Sequence, residues 1–144
     1  MIKDVFCDDS IKDGVFFETK YTMAVYDIAP SVKGHTLLIP KRHVANFSEL
    51  NDNEILDMLS AMKILLPVLV KLYGDESNSY NILSQVGPSS GMSIPHLHIH
   101  ILPRKKNDKY NTQRSNIYFD VDSGAKSLSN TEYKLEVEKL RKEF

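Results

Sequence analysis

Three of the chain's five histidines fall in one short run, PHLHIHILPR (95–104), where His96, His98 and His100 alternate with Leu97, Ile99 and Ile101. On a strand, residues two apart share a face, with about 6.6 Å between neighbours. The spacing therefore predicts three imidazoles on one face and three aliphatic side chains on the other. Such a face can ligate a metal, form a catalytic cluster or carry ordinary polar filling. Polar filling suits one histidine better than three, because each buried imidazole then needs its own partner. H-x-H on a strand can bind zinc, but no carboxylate stands in H-E-x-x-H spacing. A catalytic cluster needs one imidazole as nucleophile, its Nδ1–H held by an acceptor so that the Nε2 lone pair faces the substrate. His98, with a histidine on each side, is the natural nucleophile for phosphorus; a protonated neighbour would stabilise the phosphoryl oxygens. The preceding loop, VGPSSGMS (86–93), suits an anion: N–H groups in glycine-containing turns converge on negative charge, and Ser89, Ser90 and Ser93 add hydroxyls.

These residues need elements to hold them. GVFFET (14–19) and YTMAVYDI (21–28) have strand composition and meet at a tight turn, Thr19–Lys20. APSVKG (29–34) is a loop, and HTLLIP (35–40) is a third strand stopped by Pro40. YNILSQ (80–85) and IPHLHIHIL (94–102) complete the set. Between them, Asn51 and Glu54 form a capping box, with Leu50 and Ile55 as a hydrophobic staple. Ile55, Leu59, Met62, Leu66, Leu69 and Tyr73 then recur at helical spacing as the expected core stripe, Pro67 predicts a kink and Gly74 a stop. Residues 105–128 are irregular apart from a candidate short strand, SNIYFDV (115–121). A last helix (129–144) opens at Ser129 with Glu132 three residues on and a Leu128–Tyr133 staple; Tyr133, Val137, Leu140 and Phe144 are its apolar face. The expectation is one α+β domain over residues 1–144, with its core in about 14–104 and a mainly antiparallel sheet of about five strands.

Lys plus Arg number 18 against 19 Asp plus Glu, which argues against the positive field of a non-specific nucleic-acid binder. A local basic group, Arg104, Lys105, Lys106 and Lys109, is either an anion-attracting patch or a solvated loop. The single cysteine, Cys7, excludes an intramolecular disulfide. The charged start of the chain is unlike a signal peptide, and ILLPVLV is far shorter than the ~20 residues of a membrane span. The expectation is a cytoplasmic protein with no nucleic-acid or membrane partner.

HLHIHILPR is similar to the signature of the histidine triad family of nucleotide hydrolases and transferases. GHTLLIPKRHV (34–44) resembles that family's second hallmark, a strand carrying a fourth histidine; with AVYDIAP (24–30), the matching segments cover most of residues 15–104. Within the family, SQVGPSSGMSIPHLHIHILPRKKND followed by SNIY (115–118) most resembles the fragile-histidine-triad branch, which cleaves diadenosine triphosphate and related dinucleoside polyphosphates. The resemblance implies that His98 attacks the α-phosphorus to form a nucleotidyl-histidine, with His96 and His100 beside it and His35 hydrogen-bonding into the triad. It implies Gln85 on a phosphate, Ser93 on the bridging or leaving-group oxygen, Gly91 and Met92 in the nucleotide loop, and Asp27 on the ribose hydroxyls. Phe17, Met23 and Val25 are candidates for an apolar base pocket, and Tyr118 for a loop over the substrate. It also implies a homodimer that continues the sheet across its interface, and no cofactor. An amine leaving group, as in nucleoside phosphoramidases, and a nucleotide-binding signalling module with weak catalysis are the alternatives. Two departures stand out. Met92 replaces the usual Gln and removes a side-chain donor. Many members also bind structural zinc through an N-terminal C-x-x-C and two histidines; here Asp4 replaces the first cysteine, leaving Cys7, His43 and His96 as an incomplete set. A zinc site that uses Asp4 with Cys7, His43 and His96 is the lesser alternative; the expectation is no metal, with Cys7 as a small core residue.

Overall fold

A carboxylate from outside closes the first hairpin. In the computed structural model, which describes residues 4–110 and 126–144, Asp57 Oδ2 accepts the hydroxyls of Thr19 (2.6 Å) and Thr22 (2.9 Å) and the N–H of Tyr21 (3.0 Å). The turn joins β1 (Val15–Glu18) to β2 (Thr22–Tyr26). With β3 (Thr36–Pro40), β4 (Ser79–Leu83) and β5 (Ile99–Arg104) they form a five-stranded sheet in the order β1-β2-β3-β5-β4, each neighbouring pair antiparallel. Between β2 and β3, Gly34 adopts φ +89°, and a Cβ there would lie 2.5 Å from the Tyr73 ring. Only glycine fits that close, left-handed approach.

Helix α1 (Asp52–Tyr73) and helix α2 (Asn130–Arg141) cover one face of the sheet. Ala24, Tyr26, Leu38, Ile99 and Ile101 meet Met58, Ala61, Leu65, Leu69, Val137 and Leu140 there in one buried cluster. Full burial of each large apolar side chain contributes about 1.5–3 kcal/mol. The opposite face carries Met23, Val25, Leu37 and Ile39, packed under Phe6 with Ile11, Val15 and Ile94 at the margin.

The capping box of α1 forms as expected, with Asn51 and Glu54 exchanging backbone-to-side-chain bonds at 2.9 and 3.0 Å. Its buried stripe, however, runs through Glu54, Met58, Ala61, Leu65, Leu69, Val70 and Tyr73. Ile55 and Leu59 are 40% and 53% exposed, while Met62 and Leu66 sit at the margin. Glu54 sets that phase, because its buried carboxylate is paired with Arg42 at 2.8 Å. The helix continues past Pro67 and ends with the Gly74 N–H on the Val70 carbonyl. In α2, Ser129 caps the N-terminus, Val137 and Leu140 are buried and Tyr133 is partly so. Phe144 lies beyond the helix against Phe17, ring centroids 4.7 Å apart.

The strand expected over 94–102 begins its ladder only at Ile99. Pro95 has no N–H to give, and the segment is held by single bonds instead: Leu97 N–H to the Val44 carbonyl (2.7 Å) and the Ser84 hydroxyl to the His98 carbonyl (2.8 Å). Leu97, Ile99 and Ile101 still point into the helix-covered core, as the alternation predicts. The expected strand 115–121 and Tyr118 lie outside the described residues. Among the described residues, no helix is long and apolar enough to cross a membrane.

Candidate active site

His98 stands one residue before β5, where the backbone selects its tautomer. Its Nδ1 lies 2.7 Å from the carbonyl oxygen of His96. A carbonyl only accepts, so Nδ1 carries a proton, and the tautomer this selects has its lone pair on Nε2. The ring is buried and meets Phe6 edge-on at 5.2 Å and His100 at 5.0 Å.

A second chain of bonds fixes His100. The N–H of Ser31 donates to His35 Nδ1 at 3.1 Å, so the His35 proton is on Nε2. That Nε2–H donates to His100 Nδ1 at 2.9 Å, which puts the His100 proton on Nε2. Burial pushes the His35 imidazole well below its ordinary pKa, with His100 and His98 adding to the effect. Burial, then His98, brings His100 down to about 3. Both rings are therefore neutral near pH 7, and the 3.4 Å approach of Asp27 Oδ2 to His35 Nε2 is a polar contact rather than an ion pair. Asp27 Oδ1 accepts the Ala29 N–H at 2.9 Å.

The 86–93 loop closes on itself. The Ser90 hydroxyl bonds the Val86 and Gly87 carbonyls at 2.9 and 2.8 Å. The N–H groups of Ser90 and Met92 return to Gly87 O, and that of Gly91 to Pro88 O. The Gly87 N–H meets Met92 Sδ at 3.3 Å. These donors are turned into the loop, contrary to the anion cradle expected of them; Ser93 is exposed beside it. Gly91 has φ +92°, and a Cβ there would come 3.0 Å from Gln85 Nε2, so the missing side chain makes room for Gln85. The buried Gln85 Oε1 has no hydrogen-bond partner among the described residues.

The apolar candidates do not form one patch. Met23 and Val25 lie buried under Phe6, whereas Phe17 packs on the helix side and against Phe144. Met23 and Phe17 reach a common groove of about 1090 Å³, whose walls include Phe6, Lys41 and Arg42. Phe6 was missed by the sequence reading. Its only signal was an aromatic between Asp4 and Cys7.

The His96 carbonyl holds the nucleophile, while its ring joins a second cluster. Its Nε2 lies 2.8 Å from the Pro40 carbonyl, and its Nδ1 faces Asp4 Oδ2 (3.2 Å) and Cys7 Sγ (3.5 Å). His43 Nδ1 joins them, 2.8 Å from Asp4 Oδ2 and 3.6 Å from Cys7 Sγ. Cys7 is thus part of a polar cluster and not core filling. The basic residues after β5 are mostly engaged within the chain: Arg104 pairs with Asp108 at 2.7 Å, Lys106 with Glu76 at 2.7 Å, and Lys109 lies over the Tyr110 ring.

Comparisons with known proteins bear on the family and the fold. The HIT domain family model matches residues 8–107. An uncharacterised HIT-like protein of Methanocaldococcus jannaschii is 36% identical over 72% of this chain and 81% of its own length. A bis(5'-adenosyl)-triphosphatase of Saccharomyces cerevisiae is 37% identical over 67% of this chain; the match spans 46% of that enzyme, a little under half. A solved structure, a hypothetical histidine triad nucleotide-binding protein from Sulfolobus tokodaii, superposes with a TM-score of 0.76 at 23% identity, covering 96% of this chain and 90% of that one. Its likeness supports the fold. The chain belongs to the HIT domain family.

Proposed function

We propose that this protein hydrolyses the α-phosphate bond of nucleoside or dinucleoside polyphosphates through a covalent intermediate on His98. The observation that carries the reading is the Nδ1–H of His98 held by the His96 carbonyl. The bare Nε2 attacks the α-phosphorus; the N–P bond forms as the P–O bond to the leaving phosphate or nucleotide breaks. Water then attacks the same phosphorus, the N–P bond breaks, and a nucleoside monophosphate leaves with the ring neutral again. His100, kept in its tautomer by His35, offers Nε2–H to a phosphoryl oxygen as charge develops. Gln85 is poised for a phosphate, and Asp27 for the ribose hydroxyls. The dinucleoside triphosphatase named among the relatives supports this substrate class.

His98→Ala should abolish turnover of diadenosine triphosphate while nucleotide binding persists. Retained turnover would reject the assignment. Parallel assay of an AMP-amine conjugate separates the phosphoramidase alternative, and hydrolysis of neither substrate by the unaltered protein would favour a binding module.

The same reading includes a homodimer. Edge strand β4 leaves Tyr80 and Ile82 42% and 44% exposed, and α1 exposes Leu56 (63%) and Ile64 (49%). An unpaired apolar edge invites a partner strand. Light scattering is expected to give twice the monomer mass, and Ile82→Lys to reduce it.

A further inference from the structure

Two peptide units, Tyr26–Asp27 and Ile28–Ala29, hold Asp27, and each is bonded at both ends. The first gives the Asp27 N–H to the His35 carbonyl at 2.9 Å, while its own carbonyl, that of Tyr26, accepts the Tyr133 hydroxyl at 2.6 Å. The second gives the Ala29 N–H to Asp27 Oδ1 at 2.9 Å, while its carbonyl, that of Ile28, accepts the Leu128 N–H at 2.7 Å. One end of each unit thus faces the site and the other faces the C-terminal segment. Both C-terminal donors lie beyond residue 107, where the matched family domain ends.

The Tyr133 hydroxyl is itself well placed to donate. A Cβ on Gly14 would run into it, and the Gly14 carbonyl accepts the Tyr26 N–H at 3.1 Å, so the glycine that admits Tyr133 also bonds Tyr26. The Tyr133 ring packs at the margin of the core, 6.2 Å from the Tyr26 ring, which fixes the hydroxyl's position independently of the bond it makes. Burial, with the Asp27 charge next, pushes the Tyr133 hydroxyl up to about 12, so it stays protonated near pH 7. Residues 27–31 belong to no helix or strand, and the two C-terminal bonds supply order that a sheet ladder gives elsewhere. A carboxylate ordered before its ligand arrives loses less freedom on binding.

We infer that Tyr133, with the Leu128 N–H, is a positioning residue for ribose: it fixes the peptides around Asp27 and so presents the carboxylate, already ordered, to the sugar hydroxyls. The inference rests on the reading of Asp27 as the ribose ligand, and it makes the C-terminal segment an element of substrate selection.

Titration calorimetry of the full chain with AMP and with 2′,3′-dideoxy-AMP isolates the ribose hydroxyls and needs no turnover. The unaltered protein should prefer AMP. Tyr133→Phe keeps the ring and removes the hydroxyl; it should weaken AMP about 3–10-fold and leave the dideoxy nucleotide unchanged. Tyr73→Phe removes another hydroxyl from the same side of the sheet, one bonded to Glu136 at 2.7 Å, and should leave both affinities as they were. Asp27→Ala should lack the preference, and adding Tyr133→Phe to it should have no further effect. A full preference in Tyr133→Phe would overturn the positioning role, as would equal weakening of both nucleotides or the same loss in Tyr73→Phe. No preference in the unaltered protein, or one that survives Asp27→Ala, would take Asp27 off the sugar and overturn the inference with it. His98→Ala should bind with the same preference as the unaltered protein, so failure of the hydrolase chemistry and failure of this inference are told apart.

Discussion

His96 and His98 are two residues apart and serve two different clusters. His98 lies against the His100 ring, and His100 is bonded to His35; the His96 carbonyl orients the first ring and the Ser31 N–H the last. His96 joins Asp4, Cys7 and His43, where a carboxylate and a sulfur accompany the rings. The residue type is the same; the backbone group bonded to one ring nitrogen decides what the other can do. A carbonyl on Nδ1 turns the Nε2 of His98 towards an electrophile, and a carbonyl on Nε2 turns the Nδ1 of His96 towards Asp4 and Cys7.

Substitutions can pull the two clusters apart. The largest effect belongs to His98→Ala, which should lower hydrolysis about 10³-fold or more in a steady-state assay. His100→Ala removes a donor and not the nucleophile, so a fall of about 10–100-fold in kcat is expected. His96→Ala alters the other cluster and keeps the backbone carbonyl that holds His98, so turnover should fall only in part in the same assay.

The neutral His35–His100 pair also predicts a pH effect on stability. His35 and His100 have folded pKa values below the ordinary 6.5. Between that value and the folded one, the unfolded chain binds more protons, so stability falls as pH drops through 6.5 and, for His100, keeps falling towards about 3. Urea midpoints at about pH 7.5 and about pH 5 should differ in that direction, and less so in His100→Gln. The smallest change is Met92→Gln, which frees the Gly87 N–H and restores a side-chain donor; it should raise turnover about 2–10-fold.

Much of the fold was legible because the strand alternation and both helix starts depend on local chemistry. The capping box at Asn51 and Glu54 formed as expected. The helix phase was not legible: Ile55 and Leu59 match the apolar period, but the buried Glu54, paired with a half-exposed Arg42, rotates the stripe towards Glu54, Met58 and Leu65. No local pattern announces an ion pair made across the fold. The alternation of His96, His98 and His100 pointed to chemistry, but not to its division between two clusters. That division depends on Pro40, Asp4 and Cys7, which are remote in sequence. The loop 86–93 misled for a related reason: its glycines and serines suit an anion, but Met92 and Ser90 satisfy the loop from within.

The most direct test of the hydrolase reading is intact-mass analysis after rapid quench with diadenosine triphosphate. A transient gain of one nucleotidyl group, mapped to His98 and missing in His98→Ala, is the predicted result. Turnover without any adduct, or an adduct mapped to a different residue, would contradict it.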